Sequence, residues 1–195
     1  MPALAATEIF LIRHAPALTE GRMAGKRDVA ADCSNSAGFA ALRAKLPLDA
    51  RRMISPALRC RQTAAALWPD LPQPELDPSL WEQDFGAWEN APFADLPDLG
   101  ALTLPELAAH RSPEGESFLD LCTRSQAALT KADGGRVVIV AHAGIVRAAL
   151  GAALGQPHLG LAFQITPLSL TRLLVLPQAD GRVAWSIAAV NEPAV

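Results

Sequence analysis

Two short stretches constrain this chain more than any other feature. Ile9-Phe10-Leu11-Ile12-Arg13-His14 and Val137-Val138-Ile139-Val140-Ala141-His142 are continuous apolar runs that each end on a histidine. Runs of this length, rich in β-branched residues, are expected as strands buried on both faces of a parallel sheet. In open α/β sheets ligands bind outside the carboxyl ends of the strands. Both histidines are therefore predicted to stand where a ligand would sit, although they lie far apart in the sequence.

The rest of the chain is compatible with such a sheet. Its 195 residues suit one domain over 1–195, large enough for a core without staples. Half of the residues are hydrophobic and 19% are charged, the balance of a globular protein. A net charge of −3 argues against nucleic acid or an anionic membrane as main partner, and leaves room for a small anionic metabolite held by a local basic pocket. Cys33, Cys60 and Cys122 are widely spaced and form no Cys-x-x-Cys pair, so neither a metal site nor another cofactor is expected. The longest apolar stretch, Val137 to Leu154, is interrupted by His142 and Arg147 and is not expected to span a membrane. With no basic region ahead of the first apolar run, a cytoplasmic protein is expected. Nothing in the sequence decides the oligomeric state, and a homodimer is compatible with it.

Strand and helix patterns alternate. Ala15 to Cys33 reads as an irregular loop, and Phe39 to Leu46 as a helix opened by Ser36-Ala37-Gly38 and stopped by Pro47. Arg52 to Ser55 is strand-like, and Ser55-Pro56 is predicted to cap a helix running to Trp68-Pro69. Proline is dense between Pro69 and Pro113, which predicts a loop-rich cap at about 69–113. Glu116 to Lys131 is predicted as a helix, Asp133-Gly134-Gly135 as a turn, and Ile145 to Leu154 as another helix. Ser169 to Leu176 and Arg182 to Val190 flank Ala179-Asp180-Gly181, a hairpin signal. The fold class is α/β, a three-layer sandwich with a mostly parallel central sheet flanked by helices.

Taken singly, the polar residues near these strand ends have ordinary structural explanations. Arg13 could serve an ion pair, Arg59 a solvated helix face, and Glu82 a loop among tryptophans. Ala143-Gly144 after His142 opens a helix whose N-terminus favours an anion. Taken together, two histidines and two arginines at one sheet edge make a compact positive pocket, and the guanidinium fork suits phosphate oxygens. A carboxyl group desolvated among aromatic rings suits an acid that must release a proton near neutral pH. A neutral histidine within a phosphate site is a competent nucleophile. The set describes phosphoryl transfer without a metal ion. A metallohydrolase using His14, His142 and Glu82 as ligands lacks the usual ligand spacing. A silent anion- or partner-binding module would not require Glu82.

Five segments, in order, resemble the histidine phosphatase superfamily, the phosphoglycerate mutase-like proteins. They are Leu11-Ile12-Arg13-His14, Ser55 to Thr63, Leu80-Trp81-Glu82-Gln83-Asp84-Phe85-Gly86-Ala87-Trp88-Glu89, Pro113 to Phe118, and Val140-Ala141-His142-Ala143-Gly144. The resemblance implies the superfamily's fold, His14 as the nucleophile that becomes phosphohistidine, and Glu82 as proton donor to the leaving oxygen. It implies that Arg13, Arg59 and His142, with Ala143 at the helix start, hold the transferring phosphoryl group. The family usually continues with glycine, Glu-Thr and a nearby asparagine after the nucleophile; here Ala15-Pro16-Ala17-Leu18 follow. Arg22, Lys26 and Arg27 are candidates to replace the lost phosphate contacts and to bind substrate. Asn90 stands where a glycine is common. The compact length resembles phosphatases more than phosphomutases, and residues 21–28 resemble the alpha-ribazole phosphatase-like branch, which acts in cobalamin synthesis.

Overall fold

The computed structural model describes residues 5–72, 74–130 and 134–194. A six-stranded sheet forms its centre. The strands are β1 (Thr7–Arg13), β2 (Arg51–Ile54), β3 (Glu75–Leu76), β4 (Gly135–Ala141), β5 (Leu170–Pro177) and β6 (Val183–Glu192), in the order β3-β2-β4-β1-β5-β6. The first four in that order are parallel to one another, and the β5–β6 hairpin adds an antiparallel edge beside β1. Among the described residues the α-helices are α1 (Ser36–Ala44), α2 (Leu58–Leu67), α3 (Leu104–Ala109), α4 (Phe118–Thr130) and α5 (Ala143–Ala153).

The two-residue period of a strand explains why β1 and β4 read as unbroken apolar runs. Ile9, Leu11, Val137 and Ile139 point into one core with Leu121, Leu129, Ile145 and Leu150 from α4 and α5. Phe10, Ile12, Val138 and Val140 point into a second core with Phe39, Leu42, Ala64 and Leu67 from α1 and α2. Helices thus cover both faces, which is the three-layer α/β arrangement expected from the sequence.

Several local expectations change. The helix expected from Ser55-Pro56 begins instead at Leu58, with Ala57 extended at φ −54° and ψ 138°. The Ser55 hydroxyl is drawn to His142 (2.8 Å), so it leads into the helix without capping it in the usual way. The helix after His142 starts earlier than Ile145, at Ala143. The first helix ends at Ala44, before the expected Leu46. Residues 78–95 hold three short 3₁₀ turns, followed by α3. Lys131 and Asp133, from the expected helix end and turn, lie outside the described residues. Among the described residues no helix is long and apolar enough to cross a membrane.

Candidate active site

Adjacent parallel strands deliver the two histidines. Arg13 pairs in register with Ala141, so the residues that follow emerge side by side, and the His14 amide donates to the Ala141 carbonyl (2.9 Å). The imidazole centroids are 5.0 Å apart with the rings inclined at 68°. His14 is 4% exposed and His142 is fully buried.

The hydrogen bonds of His14 define its tautomer. Its Nδ1 lies 2.7 Å from the Ala15 carbonyl, which can only accept, so Nδ1 carries the proton. Nε2 is left with its lone pair, and Arg59 Nε donates to it at 3.3 Å. Burial lowers the His14 pKa to about 3, assisted by Arg59 and Arg13, while the Ala15 bond acts in the opposite sense. The ring is neutral at physiological pH.

Arg59 is 1% exposed. Its other nitrogens donate to the carbonyls of Arg27 (2.8 Å) and Gly25 (2.7 Å), so the loop after His14 is folded around the guanidinium. Gly25 is needed there: its φ is +52°, and a Cβ would lie 2.2 Å from the Glu89 carboxylate. Arg13 donates to the Ile165 carbonyl, while its Nε is buried without a partner. Burial lowers the pKa of both guanidiniums, and Glu82 opposes the shift in each. His142 follows directly on β4 and is the N-cap residue of α5. Its Nε2 contacts Ser55 Oγ at 2.8 Å and Cys60 Sγ at 3.6 Å, and its Nδ1 is buried without a partner. Burial drives its pKa well down, with the charges of His14, Arg59, Arg124 and Arg13 acting in the same direction.

Glu82 reaches this cluster from the 3₁₀-rich segment. The Gly144 amide, in the first turn of α5, donates to its Oε1 (3.2 Å) and Oε2 (3.4 Å), and the Gln83 amide donates to Oε1 (3.1 Å). Only glycine leaves room for the carboxylate, because a Cβ at position 144 would stand 2.3 Å from Oε1. Ala143, between His142 and Gly144, opens the helix. The Ala15 substitution is accommodated without a left-handed backbone, and its amide donates to Thr63 Oγ1 (2.9 Å). Asn90 has φ +66°, a conformation asparagine tolerates better than most residues, which explains why it can replace a glycine.

Each of the three loop cations has a partner within the protein. Arg22 donates to the Asn90 carbonyl (2.8 Å), Lys26 pairs with Asp84 (3.2 Å), and the Arg27 side chain donates to the Met23 carbonyl (3.2 Å). Only the backbone of Arg27 touches a site residue, through Arg59. Sequence reasoning missed Gly144 as the seat for Glu82, Ser55 as the partner of His142, and Trp81, whose ring stacks parallel to His142 at 6.4 Å. It also missed Arg124 on α4 and Glu116 just ahead of it, which grip the Glu82 segment. A basic residue eight positions after Glu116 is the only signal for that pair, and it has no special spacing. Among the described residues no group of three or more His, Cys, Asp or Glu side chains could hold a metal ion.

The sequence matches the histidine phosphatase superfamily (branch 1) over residues 9–188. No protein of curated function matches it. Among solved structures, mycobacterial hydrolase 2 is similar at 24% identity and TM-score 0.81, covering 97% of this chain and 92% of that one. A mycobacterial glucosyl-3-phosphoglycerate phosphatase in complex with VO3 is similar at 25% identity and TM-score 0.76, with 95% and 98% covered. A protein from Thermus thermophilus is similar at 28% identity and TM-score 0.67, with 93% and 99% covered.

Proposed function

Because this chain belongs to the histidine phosphatase superfamily, we propose that it is a metal-independent phosphomonoesterase working through a phosphohistidine on His14. One observation carries the reading: the Nδ1 proton of His14 is committed to the Ala15 carbonyl, which leaves the Nε2 lone pair facing the Arg59 guanidinium. In the proposed reaction that lone pair attacks phosphorus as the bond to the leaving oxygen breaks. Arg13 Nε and His142 Nδ1, both buried and unpartnered, supply donors for the phosphoryl oxygens when Ser55 donates to His142 Nε2. Glu82 gives its proton to the leaving oxygen. It then takes one from the water that displaces His14 from phosphorus, releasing inorganic phosphate.

A cavity of about 410 Å³ adjoins the Glu82 segment, lined by Trp81, Lys26, Asp84 and Glu116 among others. None of His14, Arg13, Arg59, Glu82 or His142 lines it, so it neighbours the site without being part of it. Phosphorylated glycerate derivatives, in view of the mycobacterial phosphatase, and alpha-ribazole phosphate are the first substrates to try. Acid-quenching with a labelled phosphomonoester is expected to trap acid-labile phosphate on His14, and His14→Ala is expected to abolish both label and turnover. Turnover persisting in that variant would refute the covalent route. Isomerised ester in place of free phosphate would identify a mutase.

A further inference from the structure

Arg124 holds more of the Glu82 segment than any neighbouring residue does. The segment between β3 and the second 3₁₀ turn has little regular backbone pairing of its own, so its carbonyls need partners from elsewhere. Arg124 supplies them: Nη1 donates to the Ser79 carbonyl (2.7 Å), and Nη2 to the carbonyls of Trp81 (2.8 Å) and Glu82 (2.9 Å). The rest of the fork binds Glu116, through Nε at 3.1 and 3.2 Å and Nη2 at 2.7 Å. Glu116 in turn accepts from the Asp84 amide (3.1 Å), and its own amide donates to the Asp84 carbonyl (2.8 Å). Residues 79–84 are thereby held at one end by Arg124 of α4 and at the other by Glu116, two residues ahead of α4, and α4 is itself seated in the core through Leu121, Ser125 and Ala128.

We infer that Arg124 is the positioning residue of the site: its guanidinium sets the backbone from which Glu82 reaches the Gly144 amide and Trp81 covers His142. The inference rests on the proposed role of Glu82 as the proton donor. Three carbonyls and two carboxylate oxygens converge on the rigid, planar guanidinium of Arg124, with the N–H groups of Nη2 and Nε shared among several of them. A lysine ammonium has three donors at one point and cannot span them. The pair is also more than a surface ion pair, since its side chains are only 27% and 17% exposed.

The test compares an unactivated alkyl phosphate with 2,4-dinitrophenyl phosphate, whose leaving group needs no proton. Arg124→Lys is expected to lower kcat on the alkyl ester about 10- to 100-fold, as a displaced catalytic group does, and to leave the dinitrophenyl ester within about threefold. In a Glu82→Gln background the same substitution is expected to cost the alkyl ester nothing further. Equal losses on both esters, or losses that multiply with Glu82→Gln, would overturn the inference and leave Arg124 a structural residue. Should Arg124→Lys fail to fold, Glu116→Gln provides the same comparison from the other half of the pair, with the same split expected. If Glu82→Gln itself shows no dependence on leaving group, the acid assignment falls and this inference with it. A normal split for Glu82→Gln but none for the Arg124 and Glu116 variants would overturn the positioning role alone.

Discussion

Replacing Gly144 by alanine should separate stability from catalysis. A Cβ at this position would stand 2.3 Å from Glu82 Oε1, whereas ordinary contact begins at 3.4 Å, so the carboxylate must retreat by about 1.1 Å. Moving the end of a flexible side chain is cheap for the fold. Alanine also loses less backbone freedom than glycine on folding, offset in part by Leu121 Cδ1 at 3.0 Å from the new methyl. The Tm should therefore stay within a few degrees of the parent. Catalysis has no such slack, because Glu82 loses its seat on the Gly144 amide, and a misplacement of about 1 Å costs on the order of 100-fold. Initial rates on an alkyl phosphate, measured beside a thermal melt, give both quantities from one preparation. Alkyl phosphate turnover within threefold of the parent would refute the placement of Glu82 against α5. A collapse of the Tm would refute the claim that only a flexible carboxylate is in the way.

Arg59→Ala should lower kcat by roughly two to three orders of magnitude, as loss of a transition-state donor does; a near-normal rate would show that the contact with His14 Nε2 is idle. Acid should destabilise the fold through its buried histidines. The folded pKa of His14, near 3, is below its ordinary 6.5, so the unfolded chain binds the extra proton and stability is lost as pH falls from 6.5 towards 3. Between pH 7.5 and 5 this amounts to about 2 kcal/mol for one histidine, and His142 acts in the same direction. Urea unfolding at the two pH values should show a visibly smaller loss for His14→Gln than for the parent, and identical losses would refute the shift. Thr63→Val should cost about 1–3 kcal/mol in the same unfolding measurement, because the buried Ala15 amide loses its acceptor; an unchanged midpoint would show that the amide finds another.

The sheet was legible because β1 and β4 carry local signals strong enough to stand alone. A strand buried on both faces must be apolar at every position, so each could be read from six residues, and the rule that ligands gather at carboxyl ends then pointed to His14 and His142. The family resemblance pointed to Glu82 and Arg59. The loop cations Arg22, Lys26 and Arg27 show the other side. Their charge is visible in sequence, but whether a carbonyl or a carboxylate lies beside each depends on how the surrounding loops fold back, and here such partners occupy all three.

What the sequence determined alone was therefore chemistry that is local: strand, helix, and the residue types at their ends. Tertiary structure alone decided which nitrogen of His14 is unprotonated, why position 144 has no room for a methyl, and that Arg124 grips a loop more than forty positions away. Each depends on atoms brought within about 3 Å by the folded backbone, the last two by segments remote in the chain. Hydrogen bonds and close contacts are that short in range, whereas the patterns readable in a sequence extend only as far as the element that repeats them.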